Sequence, residues 1–238
     1  MYRPLHLAAC LIAVTWLLGS GGPVAAAPVP WSNSSGTANF FDWSDGQNEN
    51  DLFGSPTVEE GVRPEDGQRF ASFVFSPPNF EAASNGDGST DTVWDRLEVT
   101  LQAHPGQKFT RIEVYEVLDY QITKVGSIAM NSQAVTDDQS ASRSRTEDID
   151  VTASATGGKL IGGWDGMYFI DFIGDVPDWN YLKLKVTNTL TASSTGSKSS
   201  SSVKKHQSQG VVVVVLPEPG MLWLLGLGGL VGLRRRRG

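Results

Sequence analysis

The chain has 238 residues, with 19 lysines and arginines against 26 aspartates and glutamates, and a formal net charge of −7. Nucleic-acid binding depends mainly on basic residues that neutralise phosphates, so this acidic chain is predicted to have no nucleic-acid partner. Its single cysteine, Cys10, lies near the amino terminus. The rest of the chain therefore has no disulfide and no thiolate metal site.

The first residues have the order of a secretory signal. Arg3 supplies a positive start, residues 5–18 are mostly apolar, and small residues follow up to Ala26. This order predicts a signal peptide over residues 1–26, which signal peptidase removes after Ala26. The residues around Cys10 also resemble a lipoprotein signal, but the apolar stretch before Cys10 is too short and continues beyond it.

The body that follows has the pattern of short strands and turns. Apolar and polar residues alternate over residues 97–102 and again over residues 182–187, which is typical of half-buried strands. No stretch of the body carries the apolar stripe of a helix. We therefore predict an all-β domain over residues 27–192, in the form of a jelly-roll-like β-sandwich.

Two segments connect this domain to the carboxyl-terminal tail. Residues 193–210 are rich in serine, lysine and glutamine, which predicts a flexible linker. Residues 211–216 are mainly valine and fit either a last strand or the start of the tail.

The tail combines three features with separate physical roles. Pro217-Glu218-Pro219 favours an extended backbone that a protease can bind. Residues 221–233 are uncharged and apolar, and they suit a short transmembrane helix. Four consecutive arginines then favour the cytoplasmic side of the membrane, and they are Arg234, Arg235, Arg236 and Arg237.

Residues 211–238 thus resemble the sorting signal of the PEP-CTERM family of exported proteins. The resemblance implies recognition by an exosortase, a membrane cysteine peptidase that cuts near the motif. It also implies a Gram-negative bacterium that makes exopolysaccharide, and a transient anchor in the inner membrane. The sequence departs from the family pattern in one respect, because 13 apolar residues form a helix of only about 20 Å, which is short of a full hydrocarbon core. The alternative is an ordinary tail anchor in which Pro-Glu-Pro occurs by accident.

An oxygen-rich loop in the body is a candidate calcium site. Asn85, Asp87, Ser89 and Asp91 place oxygen side chains at alternate positions. Calcium prefers several hard oxygen ligands, although the loop does not follow the EF-hand pattern. Calcium is thus the one cofactor that the sequence suggests, although the same residue types also form ordinary turns.

Two tryptophans are candidate sugar-binding residues. Trp164 lies among glycines, and Trp179 follows Pro177-Asp178, so both have the setting of a loop. An exposed indole ring can stack on a sugar ring, whereas a buried one packs in a core.

The sequence contains no histidine- or cysteine-based catalytic set, and we predict that the protein is not an enzyme. A glycan hydrolase that uses only carboxylates stays open. The acids in or near predicted strands are Glu113, Glu116, Asp119, Asp165 and Asp171. The first prediction is therefore an exported protein of the cell surface or extracellular matrix, associated with exopolysaccharide and biofilm. The alternative is a polysaccharide-binding module displayed on the surface.

Overall fold

The computed structural model describes residues 27–86 and 88–218. The predicted signal peptide, Asp87, Pro219, the apolar residues 221–233 and the four arginines of the tail lie outside the described residues. Within the described ranges, no helix is long and apolar enough to cross a membrane.

The described part of the chain forms twelve strands. In chain order they are β1 (Val29–Pro30), β2 (Gly36–Thr37), β3 (Phe41–Asn48), β4 (Thr57–Val62), β5 (Arg69–Phe75), β6 (Glu81–Asn85), β7 (Thr90–Ala103), β8 (Phe109–Asp138), β9 (Ser144–Asp171), β10 (Tyr181–Ser194), β11 (Ser200–Lys205) and β12 (Val211–Pro217). The prediction of an all-β body is confirmed.

Period-two alternation explains why these segments are strands. In β10, Leu182, Leu184 and Val186 are buried while the lysines between them are half-exposed. Successive side chains of a strand point to opposite faces, so this pattern places one face on a core and the other in water. The same reasoning holds for β7, where Leu97 and Leu101 are fully buried.

The long hairpin of β8 and β9 organises the sheet. One edge of β8 pairs with β9 along almost its whole length. The other edge pairs successively with β12, β11 and β10, and every one of these pairings is antiparallel. Beyond β12 lie β5 and β4, which form the β12 section, and beyond β10 lie β7 and β3, which form the β10 section.

The sheet curls so that these two sections enclose one hydrophobic core. Phe73 of β5 packs against Trp31, Phe41 and Trp43, with ring centroids 5.8, 6.2 and 5.7 Å away. Tilted and edge-on contacts of this kind favour aromatic pairs beyond the area that they bury. The aromatic cluster therefore fixes the β12 section against the β10 section.

The segment predicted as a flexible linker, residues 193–210, contains two parts of the sheet, namely the end of β10 and the whole of β11. Residues 200–205 form β11, which pairs with both β6 and β8. Ser201, Val203 and Lys205 are buried, and the residues between them are more exposed. The alternation is not evident in the sequence, because a serine-rich composition is typical of flexible segments. Serine nevertheless fits the interior of a sheet when its hydroxyl is hydrogen-bonded. Ser201 Oγ, for example, donates to the Ser193 carbonyl at 2.8 Å.

Candidate functional site

A groove lies on the outer face of the β12 section. It has a volume of about 670 Å³. Its floor consists of strand residues, and its walls are the turn after β4 and the turn before β12. The lining residues are Arg63, Pro64, Glu65, Phe70, Tyr115, Val117, His206, Ser208, Gln209, Val212 and Val214. We call this surface the outer groove.

A buried carboxylate organises the polar side of the outer groove. Glu113 accepts hydrogen bonds from the Arg63 guanidinium and, at 2.9 Å, from the Tyr115 hydroxyl. The bond to Glu113 raises the pKa of Arg63, while burial and the same carboxylate raise the pKa of Tyr115. Arg63 therefore stays charged and is the fixed hydrogen-bond donor of the groove. The Tyr115 hydroxyl donates its proton to Glu113 and offers its oxygen as an acceptor.

Apolar side chains extend the groove across the neighbouring strands. Tyr115 pairs with Met167 across β8 and β9, and Glu113 pairs with Phe169. Tyr115 is 37% exposed and Phe169 is 41% exposed. The Arg111 guanidinium lies 4.2 Å from the centroid of the Phe169 ring, which orients that ring by a cation–π contact. The outer face thus presents aromatic rings beside fixed polar groups.

This combination of groups is suited to binding a sugar chain. Ligand-binding sites commonly combine an apolar surface with a few polar groups that fix the orientation of the ligand. A sugar ring has apolar C–H faces that can stack on an aromatic ring, and its hydroxyls can accept from Arg63 or donate to the Tyr115 oxygen. The openness of the groove along the sheet also suits a polymer better than a small enclosed ligand.

Glu113 and Glu116 do not form a pair for glycoside hydrolysis. Glu113 faces the groove, whereas Glu116 points into the interior and is fully buried. Asp171 is bound by Arg111, with 2.6 Å between Oδ1 and Nε. Carboxylate chemistry needs two acids on the same side of a substrate, and Glu113 and Glu116 lie on opposite faces of β8.

The structure separates the two tryptophans that the sequence suggests for sugar binding. Trp179 is only 1% exposed, its Nε1 donates to Asp175 at 2.8 Å, and its ring stacks on Phe172 with centroids 4.6 Å apart. Burial removes Trp179 as a sugar-stacking residue, because neither face of its ring is free. Trp164 is half-buried against the core, and its ring lies across Gly166, where a Cβ would come within 2.3 Å of it.

Neither tryptophan lines the outer groove, whose aromatic residues the sequence analysis missed. The alternation of apolar and polar residues does mark these rings as outward-facing, since Tyr115 and Phe169 occupy outward positions of strands whose inward neighbours are buried. Nothing in the sequence shows that these outward positions share one surface.

The predicted calcium loop joins β6 to β7. Ser89 Oγ lies 2.8 Å from Ser84 Oγ and donates to the Gly86 carbonyl at 3.0 Å, and Asp91 accepts from the Ala83 amide at 2.8 Å. Asn85 ends β6. Over residues 27–86 and 88–218, no group of three or more histidine, cysteine, aspartate or glutamate side chains is arranged to hold a metal ion.

The first two residues of the predicted sorting motif are attached to the body. The Pro217 carbonyl accepts from Gln68 Nε2 at 2.8 Å and from Thr110 Oγ1 at 3.0 Å. The Glu218 amide donates to the Lys108 carbonyl at 3.0 Å, and its carboxylate lies 3.2 Å from Lys108 Nζ. These contacts place the start of the motif at the end of the sheet.

Comparisons with known proteins give only distant similarities. No protein-family model matches the sequence, and no curated protein matches it significantly. Among solved structures, a chain of infectious bursal disease virus Gx strain is 14% identical over 69% of this chain, with a TM-score of 0.29, and this chain spans 42% of its length.

Two carbohydrate-binding modules are also similar. TmCBM61, solved with β-1,4-galactotriose, is 8% identical, with 79% of this chain and 98% of the module covered and a TM-score of 0.21. The family 11 module from Clostridium thermocellum, solved with a β-1,3-1,4-mixed-linked tetrasaccharide, is 10% identical, with 80% and 96% covered and a TM-score of 0.18. TM-scores this low establish neither a shared fold nor a shared function.

Proposed function

We propose that this protein is a surface-displayed, polysaccharide-binding β-sandwich of the jelly-roll type, and that the outer groove is its binding site. The observation that carries the proposal is a pair of exposed rings on one face, with Tyr115 in the groove and Phe169 beside it on β9. The guanidinium groups of Arg63 and Arg111 lie next to these rings. The rings stack on sugar faces, and the donors bind hydroxyls or carboxylates of the polymer.

The display of this body on the cell surface is the second part of the proposal. The leader over residues 1–26 directs export, and an exosortase recognises Pro217-Glu218-Pro219 and processes the tail. The membrane anchor is transient, and the mature protein reaches the envelope or the extracellular matrix, where exopolysaccharide is available. One structural feature supports this arrangement: Pro217, the first residue of the motif, is the last residue of β12.

Affinity electrophoresis tests the groove. The wild-type protein is run through native gels that contain one polysaccharide each, including the exopolysaccharide of its own host. We expect retardation that is lost in a Tyr115→Ala/Phe169→Ala double variant. Trp94→Ala is the matched control, since Trp94 is 42% exposed but lies on β7, away from the groove. Equal retardation of the double variant and the wild type would exclude this site.

A truncation tests the sorting proposal separately. A chain that ends at Glu218 keeps β12 and its contacts but lacks residues 219–238. We expect the full-length protein to appear in the envelope without its last residues and the truncated chain to appear in the medium. If the intact mass of the envelope protein retains Arg234, Arg235, Arg236 and Arg237, the tail is a plain anchor and the exosortase proposal fails.

A further inference from the structure

A cluster of polar side chains is enclosed in the hydrophobic core where β8, β9, β10 and β11 meet. Its members are Glu116, Ser132, Tyr168, Asn188 and Lys205, and all are buried. Lysine and glutamate are almost never fully buried unless they are paired, because removing a charge from water is costly. The composition of this cluster therefore calls for a specific explanation.

The Glu116 carboxylate lies between an amine and a carboxamide. Lys205 Nζ contacts its Oε2, and Asn188 Nδ2 donates to its Oε1 at 3.0 Å. Ser132 Oγ also donates to Oε1, at 2.6 Å. The amine of Lys205 and the side-chain amide of Asn188 are thus held at the two oxygens of one carboxylate.

The surroundings favour a reactive amine. Burial lowers the pKa of Lys205, although Glu116 acts in the opposite direction. The other contact of Nζ is the weak acceptor Sδ of Met130, at 3.1 Å. Burial therefore favours the neutral amine, which has the free electron pair of a nucleophile.

The carboxamide also has an unusual feature. Asn188 Oδ1 is buried and has no hydrogen-bond partner among the residues that the structure describes. A buried acceptor without a partner is rare and unfavourable. Glu116 already contacts Nδ2 of the same carboxamide, so its carboxyl lies beside a carbonyl group that has no donor.

We propose that Lys205 and Asn188 form an intramolecular isopeptide bond, and that Glu116 is the catalytic acid and base of this reaction. Lys205 Nζ attacks Cγ of Asn188, and the proton on Glu116 stabilises the oxygen of the tetrahedral intermediate. Glu116 then takes a proton from the new amide nitrogen and delivers it to Nδ2, which leaves as ammonia.

The reaction balances without any further reactant. One C–N bond forms between Nζ and Cγ, and one C–N bond breaks between Cγ and Nδ2. The Lys205 ammonium and the carboxamide become a secondary amide and ammonium. The proton that Glu116 takes from the Lys205 ammonium leaves with the ammonia, so Glu116 returns to the carboxylate. No oxidant or metal is required, and one turnover per molecule is sufficient.

The cross-link would join β10 to β11, which pair with different parts of β8. It would close the loop between residues 188 and 205, and closing a loop stabilises a fold by restricting the unfolded chain. The chain has no cysteine after Cys10, so disulfides cannot do this in the exported body. The proposal does not depend on the function of the outer groove.

Mass spectrometry of the purified wild-type protein tests the proposal. We expect an intact mass that is lower than the sequence mass by one ammonia, and a protease digest that contains one branched peptide joining Lys205 to Asn188. The branched peptide is required, because a succinimide at Asn85-Gly86 would also lose ammonia. A wild-type protein without the branched peptide would overturn the proposal, and this result needs no variant to fold.

Two variants then assign the role of Glu116. Glu116→Gln keeps the size of the side chain but cannot carry the proton, so the branched peptide should disappear. Lys204→Arg is the matched control, since Lys204 is the exposed neighbour in β11 and should leave the branched peptide unchanged. A branched peptide at the wild-type level in Glu116→Gln would refute the catalytic role.

Discussion

The position of β11 in the sheet leads to a specific stability prediction for Val203→Ala. Val203 is 0% exposed and pairs with Ala82 of β6 and Tyr120 of β8. Loss of its two methyl groups removes about 0.8 kcal/mol of burial for each. The cavity left behind raises the loss in the free energy of unfolding to about 2–3 kcal/mol. For a body of this size, the Tm should fall by roughly 5–10 °C.

Thermal unfolding followed by circular dichroism measures this change, with Lys204→Ala as the neighbouring control. Lys204 is exposed, so its substitution should change the free energy of unfolding by less than about 0.5 kcal/mol. A flexible linker would tolerate both changes equally. A Val203→Ala protein with the Tm of the wild type would therefore refute the placement of β11 in the sheet.

Three further predictions concern the core, a loop ion pair and the groove. Phe73→Ala should reduce the free energy of unfolding by about 3–5 kcal/mol. Phe169→Ala, on the outer face, should reduce it by less than about 1 kcal/mol. Denaturant titration measures both losses, and equal losses would contradict the prediction. Asp175 accepts from Arg145 at 2.8 Å through both carboxylate oxygens, which lowers the pKa of Asp175. This stabilisation is present above the pKa of Asp175 in the unfolded state, and it is lost as the pH falls through the pKa in the folded state. The Tm difference between the wild type and Asp175→Asn should therefore shrink below about pH 4. A Tm difference that stayed constant down to acid pH would refute the ion pair. Tyr115→Ala should weaken polysaccharide binding by about 5- to 30-fold, equivalent to about 1–2 kcal/mol, and calorimetry that gave an unchanged Kd would remove Tyr115 from the site.

The class of the fold could be predicted from the sequence because it depends on local alternation. Residues 97–102 and 182–187 show the period-two pattern, and both lie in strands of the structure. The same rule failed for residues 200–205, where serine and lysine fill buried positions. Composition alone cannot show that such side chains are hydrogen-bonded inside a sheet.

The candidate site could be predicted only in part. The sequence directs attention to aromatic residues, but burial of a particular ring depends on residues far along the chain. Trp179 is enclosed by Phe172 and by the Arg143 guanidinium, which lies 4.3 Å from its centroid. Tyr115 and Phe169 become neighbours only because β8 pairs with β9 in a particular register.

The buried cluster shows the same limit. Asn188 and Lys205 lie in polar, serine- and threonine-rich parts of the sequence, which suggest exposed strands or a linker. Their approach to Glu116 depends on the pairing of β8 with both β10 and β11. The proximity of Glu116, Asn188 and Lys205 can be recognised only when the register of β8, β10 and β11 is known.

Amide hydrogen exchange in the presence and absence of polysaccharide tests the central claim most directly, because it locates the binding surface without a substitution. The turns that border the outer groove, residues 63–68 and 206–210, should exchange more slowly when the polymer is bound. The loop over residues 86–89, on another part of the sheet, should be unchanged. Protection of that loop with no change at the two groove turns would contradict the assignment of polysaccharide binding to the outer groove.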